Sequence, residues 1–100
     1  MTTFVLRLTG PRPNFALDLS DEERAVMERH GAHWQPWIES GRMVAFGPVL
    51  DPSGSWGLAV VQAETEDEVR AHVASDPAVT SGTARMEIGT MLAGFVRPGR

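Results

Sequence analysis

The stretch Trp56-Gly57-Leu58-Ala59-Val60-Val61-Gln62-Ala63-Glu64-Thr65-Glu66-Asp67-Glu68 decides the fold. Alternation along its first part sends Trp56, Leu58 and Val60 one way and Gly57, Ala59, Val61 and Ala63 the other. Both sets are apolar, so the strand needs cover on both faces. Thr65-Glu66-Asp67-Glu68 then forms a capping box. A threonine hydroxyl can meet the amide three residues on, and three acids favour the positive end of the helix that follows.

Upstream, Asp51-Pro52-Ser53-Gly54 is a turn, and Met43–Val49 is a strand, so residues 43–63 form a hairpin. Ser20-Asp21-Glu22-Glu23 is a second capping box and opens a helix from Asp21 to about Ser40. Gly31 weakens that helix, and Pro36 removes a backbone donor and crowds Ala32. The sequence therefore predicts a kink or a break into two pieces, with Gly41 as the stop. Thr3–Thr9 alternates as a first strand, Gly10-Pro11-Arg12-Pro13-Asn14 interrupts regular structure, and Phe15–Leu19 is a connector.

Downstream, the second helix reaches about Ala74 with Val69 and Val73 facing inward. Ser75-Asp76-Pro77 ends it, because the residue before proline avoids helical geometry. Residues 77–82 read as a loop or helical turn, Ala84–Leu92 as the last strand and Phe95–Arg100 as a tail. The order strand, helix, strand, strand, helix, strand predicts one α+β domain over residues 1–100. It is ferredoxin-like, with a four-stranded antiparallel sheet and two main helices on one face. The other face would remain a bare apolar patch, and its simplest cover is a second copy of the chain, giving a homodimer.

Composition narrows the function. The hydrophobic fraction of 42% suffices for a core in 100 residues. Without cysteine there is no disulfide, thiolate metal site or thiol nucleophile, which suits a cytoplasmic protein. No run reaches membrane-helix length, and Met1-Thr2-Thr3-Phe4 lacks the start of a signal peptide. Nine scattered Lys and Arg against a net charge of -4 predict no nucleic-acid or membrane partner. Gly10, Gly47 and Gly57 form no phosphate-binding fingerprint, and no cofactor is expected.

Several features in their order along the chain resemble the YciI-related (YCII-like) family of dimeric α/β-barrel type. They are the first strand before Gly10-Pro11-Arg12-Pro13, the run from Glu22-Glu23 through Met27 to His30, Gly41-Arg42-Met43, Gly47-Pro48 and Asp76-Pro77. The resemblance implies a cleft between helices and sheet, with His30 and Asp76 as the active-site pair. It also implies lyase, isomerase or dehydrochlorinase-like chemistry on ring compounds. Trp34 and Pro36 depart from the pattern, so the pocket and its substrate are expected to differ.

Read from the residues, His30 lies on the apolar stripe of the first helix with Val26 and Trp37. An imidazole exchanges protons near neutral pH, and a carboxylate on one ring nitrogen would fix its tautomer. Equally, His30 is explained as a satisfied core residue and Asp76 as a helix stop. Arg12, held between two prolines, is the candidate to grip a ligand carboxylate or phenolate. His33, Trp34 and Phe46 are further candidates for ligand contact, and Trp37 and Trp56 belong either to the pocket or to packing. His30 and His33 share a helix face, but no acid stands at diagnostic spacing, so no metal is expected. His72 reads as a solvated helix residue. Two functions fit: a cofactor-independent enzyme moving a proton on a cyclic acid or phenol, or a small-molecule binding or sensing dimer without turnover. A purely structural dimer is the third reading.

Overall fold

In a computed structural model, which describes residues 1–98, the chain follows the expected order. Strand β1 (Thr2–Thr9) leads through a short 3-10 turn (Phe15–Leu17) to helix α1 (Asp21–Glu39). Strands β2 (Met43–Asp51) and β3 (Gly54–Ala63), helices α2 (Glu66–Ala74) and α3 (Pro77–Thr80) and strand β4 (Arg85–Thr90) complete it. All pairings are antiparallel, in the spatial order β2-β3-β1-β4. Of the tail expected over Phe95–Arg100, residues 99 and 100 lie outside the described residues. Among the described residues, no helix is long and apolar enough to cross a membrane.

The alternation read from β3 sets the layers. Ala59, Val61 and Ala63 are buried with Phe4 and Leu6 of β1 beneath Trp34 and Trp37 of α1 and Val69 and Val73 of α2. Both helices thus lie on one face. The opposite face is open in the described chain. Register places Val5 beside Val60, Arg7 beside Leu58 and Ala45 beside Val60 there, and Val5 is 38% exposed.

Three expectations need correction. First, α1 is one uninterrupted helix, not two pieces, with Pro36 inside its last turn. Trp34 and Trp37 are both buried on either side of Pro36, and their packing outweighs one lost backbone bond. Gly41 (φ +83) does stop the helix: its amide donates to the Ile38 carbonyl, and the Arg42 amide donates to that of Trp37, a Schellman arrangement.

Second, Glu68 does not close the capping box at Thr65. Thr65 Oγ1 accepts from the Glu68 amide, but the Glu68 carboxylate accepts from the Glu64 amide instead. Third, the hairpin is tighter than expected, with Asp51 already paired to Gly54. Asp51 accepts from the Ser53 amide and hydroxyl, which fixes the turn. Gly54 takes φ +119, and a Cβ there would stand 2.5 Å from the Pro13 carbonyl oxygen, so glycine lets the hairpin dock on the β1–α1 loop.

Candidate active site

Two local features carry His30 and Asp76 to each other. The capping box at Ser20 starts α1 so that Val26, His30, Trp34 and Trp37 form its buried stripe. Ser20 Oγ accepts from the Glu23 amide at 3.1 Å, and Glu23 Oε1 accepts from the Ser20 amide at 2.8 Å. The Asp76-Pro77 pair turns the chain from α2 into α3, with Asp76 as the N-cap and Pro77 in the first turn.

Asp76 is fully buried, and its two oxygens do different work. Oδ1 accepts from the Ala78 amide at 2.9 Å and so caps α3. Oδ2 faces His30 Nδ1 at 2.7 Å and accepts the Trp34 indole N–H at 2.8 Å. Burial alone would push the Asp76 carboxyl upward. The hydrogen bonds from His30, Trp34 and Ala78 outweigh it and hold the group below its ordinary value. Asp76 is therefore an acceptor-only carboxylate, and His30 must carry its proton on Nδ1 to serve it. In the neutral imidazole the lone pair then sits on Nε2.

Nε2 has no hydrogen-bond partner among the described residues, and no buried side-chain nitrogen or oxygen among them lacks one. It is therefore not sealed in protein. His30 lines a cavity of about 270 Å³ between α1, the sheet and the β1–α1 loop, walled by Leu8, Phe15, Leu19, Met27, Phe46 and Met86. The Phe46 ring stacks on the imidazole at 5.4 Å and helps fix its plane. Among the described residues, no Lys, Arg, Asp or Glu lines this space. Ser55, on its rim, is committed: its hydroxyl donates to the Pro13 carbonyl and accepts from the Ala16 amide. Trp56 also borders the cavity, but its indole N–H donates to Asp51 and its ring lies under the Arg7 guanidinium on the open sheet face.

Of the candidates for ligand contact, Phe46 meets the cavity and the other three do not. Arg12 was expected to hold a ligand anion. Instead its guanidinium donates to both oxygens of Glu23, at 2.7 and 2.8 Å, and to Asp18. The bonds from Arg12 first, and then from the Ser20 amide, lower the Glu23 carboxyl to about 2. Arg12 thereby straps the β1–α1 loop to the start of α1. Trp34 was expected against a ligand. It lies behind the His30–Asp76 pair, fully buried, and clamps the carboxylate.

His33 points away from the cavity to the α1–α2 junction. Its ring stacks on that of His72 at 3.8 Å, and each Nε2–H donates to the other's backbone carbonyl, at 2.8 and 2.9 Å. His72 is thus packed rather than solvated, as its half-burial also shows. Burial, then the neighbouring His33, holds its imidazole below the ordinary value. Among the described residues no group of three or more His, Cys, Asp or Glu is placed to hold a metal ion.

Sequence reasoning missed Met27, Gly31 and Met86 as cavity residues, because a methionine or glycine in a regular element carries no chemical signal. It also missed the Trp34–Asp76 bond, which joins residues 42 apart.

The chain matches the YCII-related domain over residues 3–91. It belongs to the YCII-related family. A solved structure with the same fold is 5-chloro-2-hydroxyhydroquinone dehydrochlorinase from Burkholderia phenoliruptrix AC1100, determined with 2,5-dihydroxybenzoquinone. The TM-score is 0.66 at 19% identity, covering 91% of this chain and 95% of that one. No curated protein matches this YCII-related chain.

Proposed function

We propose that this YCII-related protein is a cofactor-independent enzyme that uses His30 as the acid/base for proton transfer on a small hydroxylated ring, in an isomerisation or an elimination such as dehydrochlorination. One observation carries the reading: His30 lines an apolar cavity with Nδ1 tied to a buried carboxylate and with Nε2 unpartnered among the described residues. In the step, a phenolic O–H bond breaks, the proton moves to Nε2 and the electron pair stays with the substrate. Asp76 then balances the imidazolium that forms. In an isomerisation the phenolate pair forms a carbonyl as a ring carbon takes the proton back from Nε2. In an elimination that carbon bears the leaving group. A second hydroxyl then gives its proton to Nε2 and its pair forms a second carbonyl. The leaving group departs with its own pair from the now tetrahedral carbon, so no oxidant or reductant is needed. The dehydrochlorinase of the same fold, solved with a hydroxylated quinone, supports a ligand of this kind.

The cavity lining favours a phenol over a cyclic acid. A buried carboxylate needs a cation or several donors, and among the described residues the only uncommitted polar side chain in this lining is His30. The size agrees. A cavity of about 150 Å³ accepts benzene, so 270 Å³ suits one substituted ring. Titration calorimetry with phenol and benzoate tests the preference. Phenol is expected to bind, with benzoate weaker by about tenfold or more. Benzoate binding as tightly as phenol would refute the assignment.

A binding module without turnover is the second reading. It is favoured by one fact: among the described residues, the lining holds no second proton donor beside His30. Product formation from any bound phenol separates the two.

We also propose that the open sheet face pairs with that of a second copy. Val5, Ala45, Leu58 and Val60 form an apolar strip there, and soluble monomers rarely leave such a strip uncovered. Sedimentation equilibrium at micromolar concentration is expected to return twice the chain mass of 10.9 kDa. A single-chain mass would remove this proposal and leave the cavity argument intact.

A further inference from the structure

We propose that the missing side chain of Gly31 is ligand space, and that this residue sets how large a ring the cavity admits. The inference rests on the reading of the cavity as a ligand site. Gly31 follows His30 within α1 and lines the same cavity. Glycine in a helix interior is disfavoured against alanine, so its presence needs a cause.

The two usual causes are absent. Gly31 is not among the glycines of positive φ, which are Gly41, Gly54, Gly82 and Gly94. Nor does packing require it. At Gly10 a Cβ would meet the Phe15 ring at 2.6 Å, and at Gly57 it would meet Leu8 Cβ at 3.0 Å. At Gly31 a Cβ would meet no atom within 4 Å. Gly47 also lines the cavity and has open space around it, but it is a strand residue whose register with Leu58 turns its missing side chain toward the open sheet face. Among the described residues, Gly31 alone combines helical geometry, empty surroundings and a place in the cavity wall beside the acid/base candidate. The helix gives up stability at this position, and what remains there is room. A ring whose hydroxyl meets His30 Nε2 would extend past Gly31.

The test uses the whole chain and two probes, phenol and 1-naphthol, which share a hydroxyl and differ by one fused ring. Gly31→Ala is expected to raise the melting temperature by roughly 4–8 °C, because the helix gains a better residue with no clash. Gly31→Ala and, more strongly, Gly31→Val are expected to weaken 1-naphthol relative to phenol, by about tenfold for valine. A naphthol-to-phenol affinity ratio unchanged in both variants would overturn the proposal. So would a fall in melting temperature for Gly31→Ala, since it would give the glycine a structural cause. If the unaltered chain bound neither probe, the ligand-site reading itself would fall and take this inference with it.

Discussion

Asp76→Asn is expected to lower stability by about 3 kcal/mol at pH 7, although it exchanges one atom type and leaves the shape unchanged. The carboxylate accepts three hydrogen bonds in a site with no solvent exposure. An asparagine amide offers one acceptor oxygen. If that oxygen stays on the Ala78 amide, its NH2 group faces the Trp34 indole N–H, a donor against a donor. If it flips, the cap of α3 is lost. His30 can relieve only its own bond, by moving its proton to Nε2, and Trp34 has no second tautomer.

At this chain length, about 3 kcal/mol is a melting-temperature fall of roughly 10–20 °C, readable by calorimetry. The pH dependence has a definite sign. The Asp76 carboxyl is held below its ordinary value in the folded chain. Its contribution is thus complete above the unfolded value and is lost as pH falls through the folded one. The deficit of the asparagine variant should therefore be full at pH 7 and shrink in strong acid. A deficit of about 1 kcal/mol or less would mean that Asp76 acts as a helix cap alone.

His30→Asn is expected to abolish turnover of a phenol substrate, by a factor of about 10²–10⁴, while the chain remains folded. Asparagine can still donate to Asp76, so the buried carboxylate keeps a partner, but it cannot take a proton at neutral pH. A variant that folds normally and works at the parental rate would leave His30 as a binding group only. A pH–rate profile adds a second readout, because an imidazole-like limb present in the parent should vanish in the variant.

The contrast between the two substitutions follows from what each side chain touches. Asp76 is tied to three groups of the protein and meets no part of the cavity wall. Its substitution acts first on stability and then, by freeing the tautomer, on activity. Among the described residues, His30 has one hydrogen-bond partner and one unpartnered nitrogen, so its substitution acts mainly on chemistry.

The layers were legible in the sequence because periodicity reports burial directly. The alternation in β3 gave both sheet faces, and Val69 and Val73 gave the inner side of α2. The continuity of α1 was not legible. The cost of Pro36 is local and visible in a sequence, whereas the anchoring of Trp34 and Trp37 that outweighs it is tertiary. The same limit applies in the site. His30 and Asp76 were named in advance, His30 from its stripe and the pairing from the family resemblance. The neutralisation of Arg12 by Glu23 and Asp18 and the mutual capping of His33 and His72 depend on contacts that no local spacing encodes. Glycine was the least legible residue of all. Gly31 looked like a defect in a helix, and only the emptiness around it gives it a purpose.

Long-range proton–nitrogen NMR correlation on histidine-labelled protein near pH 8 tests most directly whether His30 is a tethered imidazole with its far nitrogen open to a ligand. The account predicts His30 as the Nδ1–H tautomer, with an Nε2 resonance that shifts when phenol is added. An Nε2–H tautomer, or an Nε2 resonance that stays still while phenol saturates the protein, would contradict it.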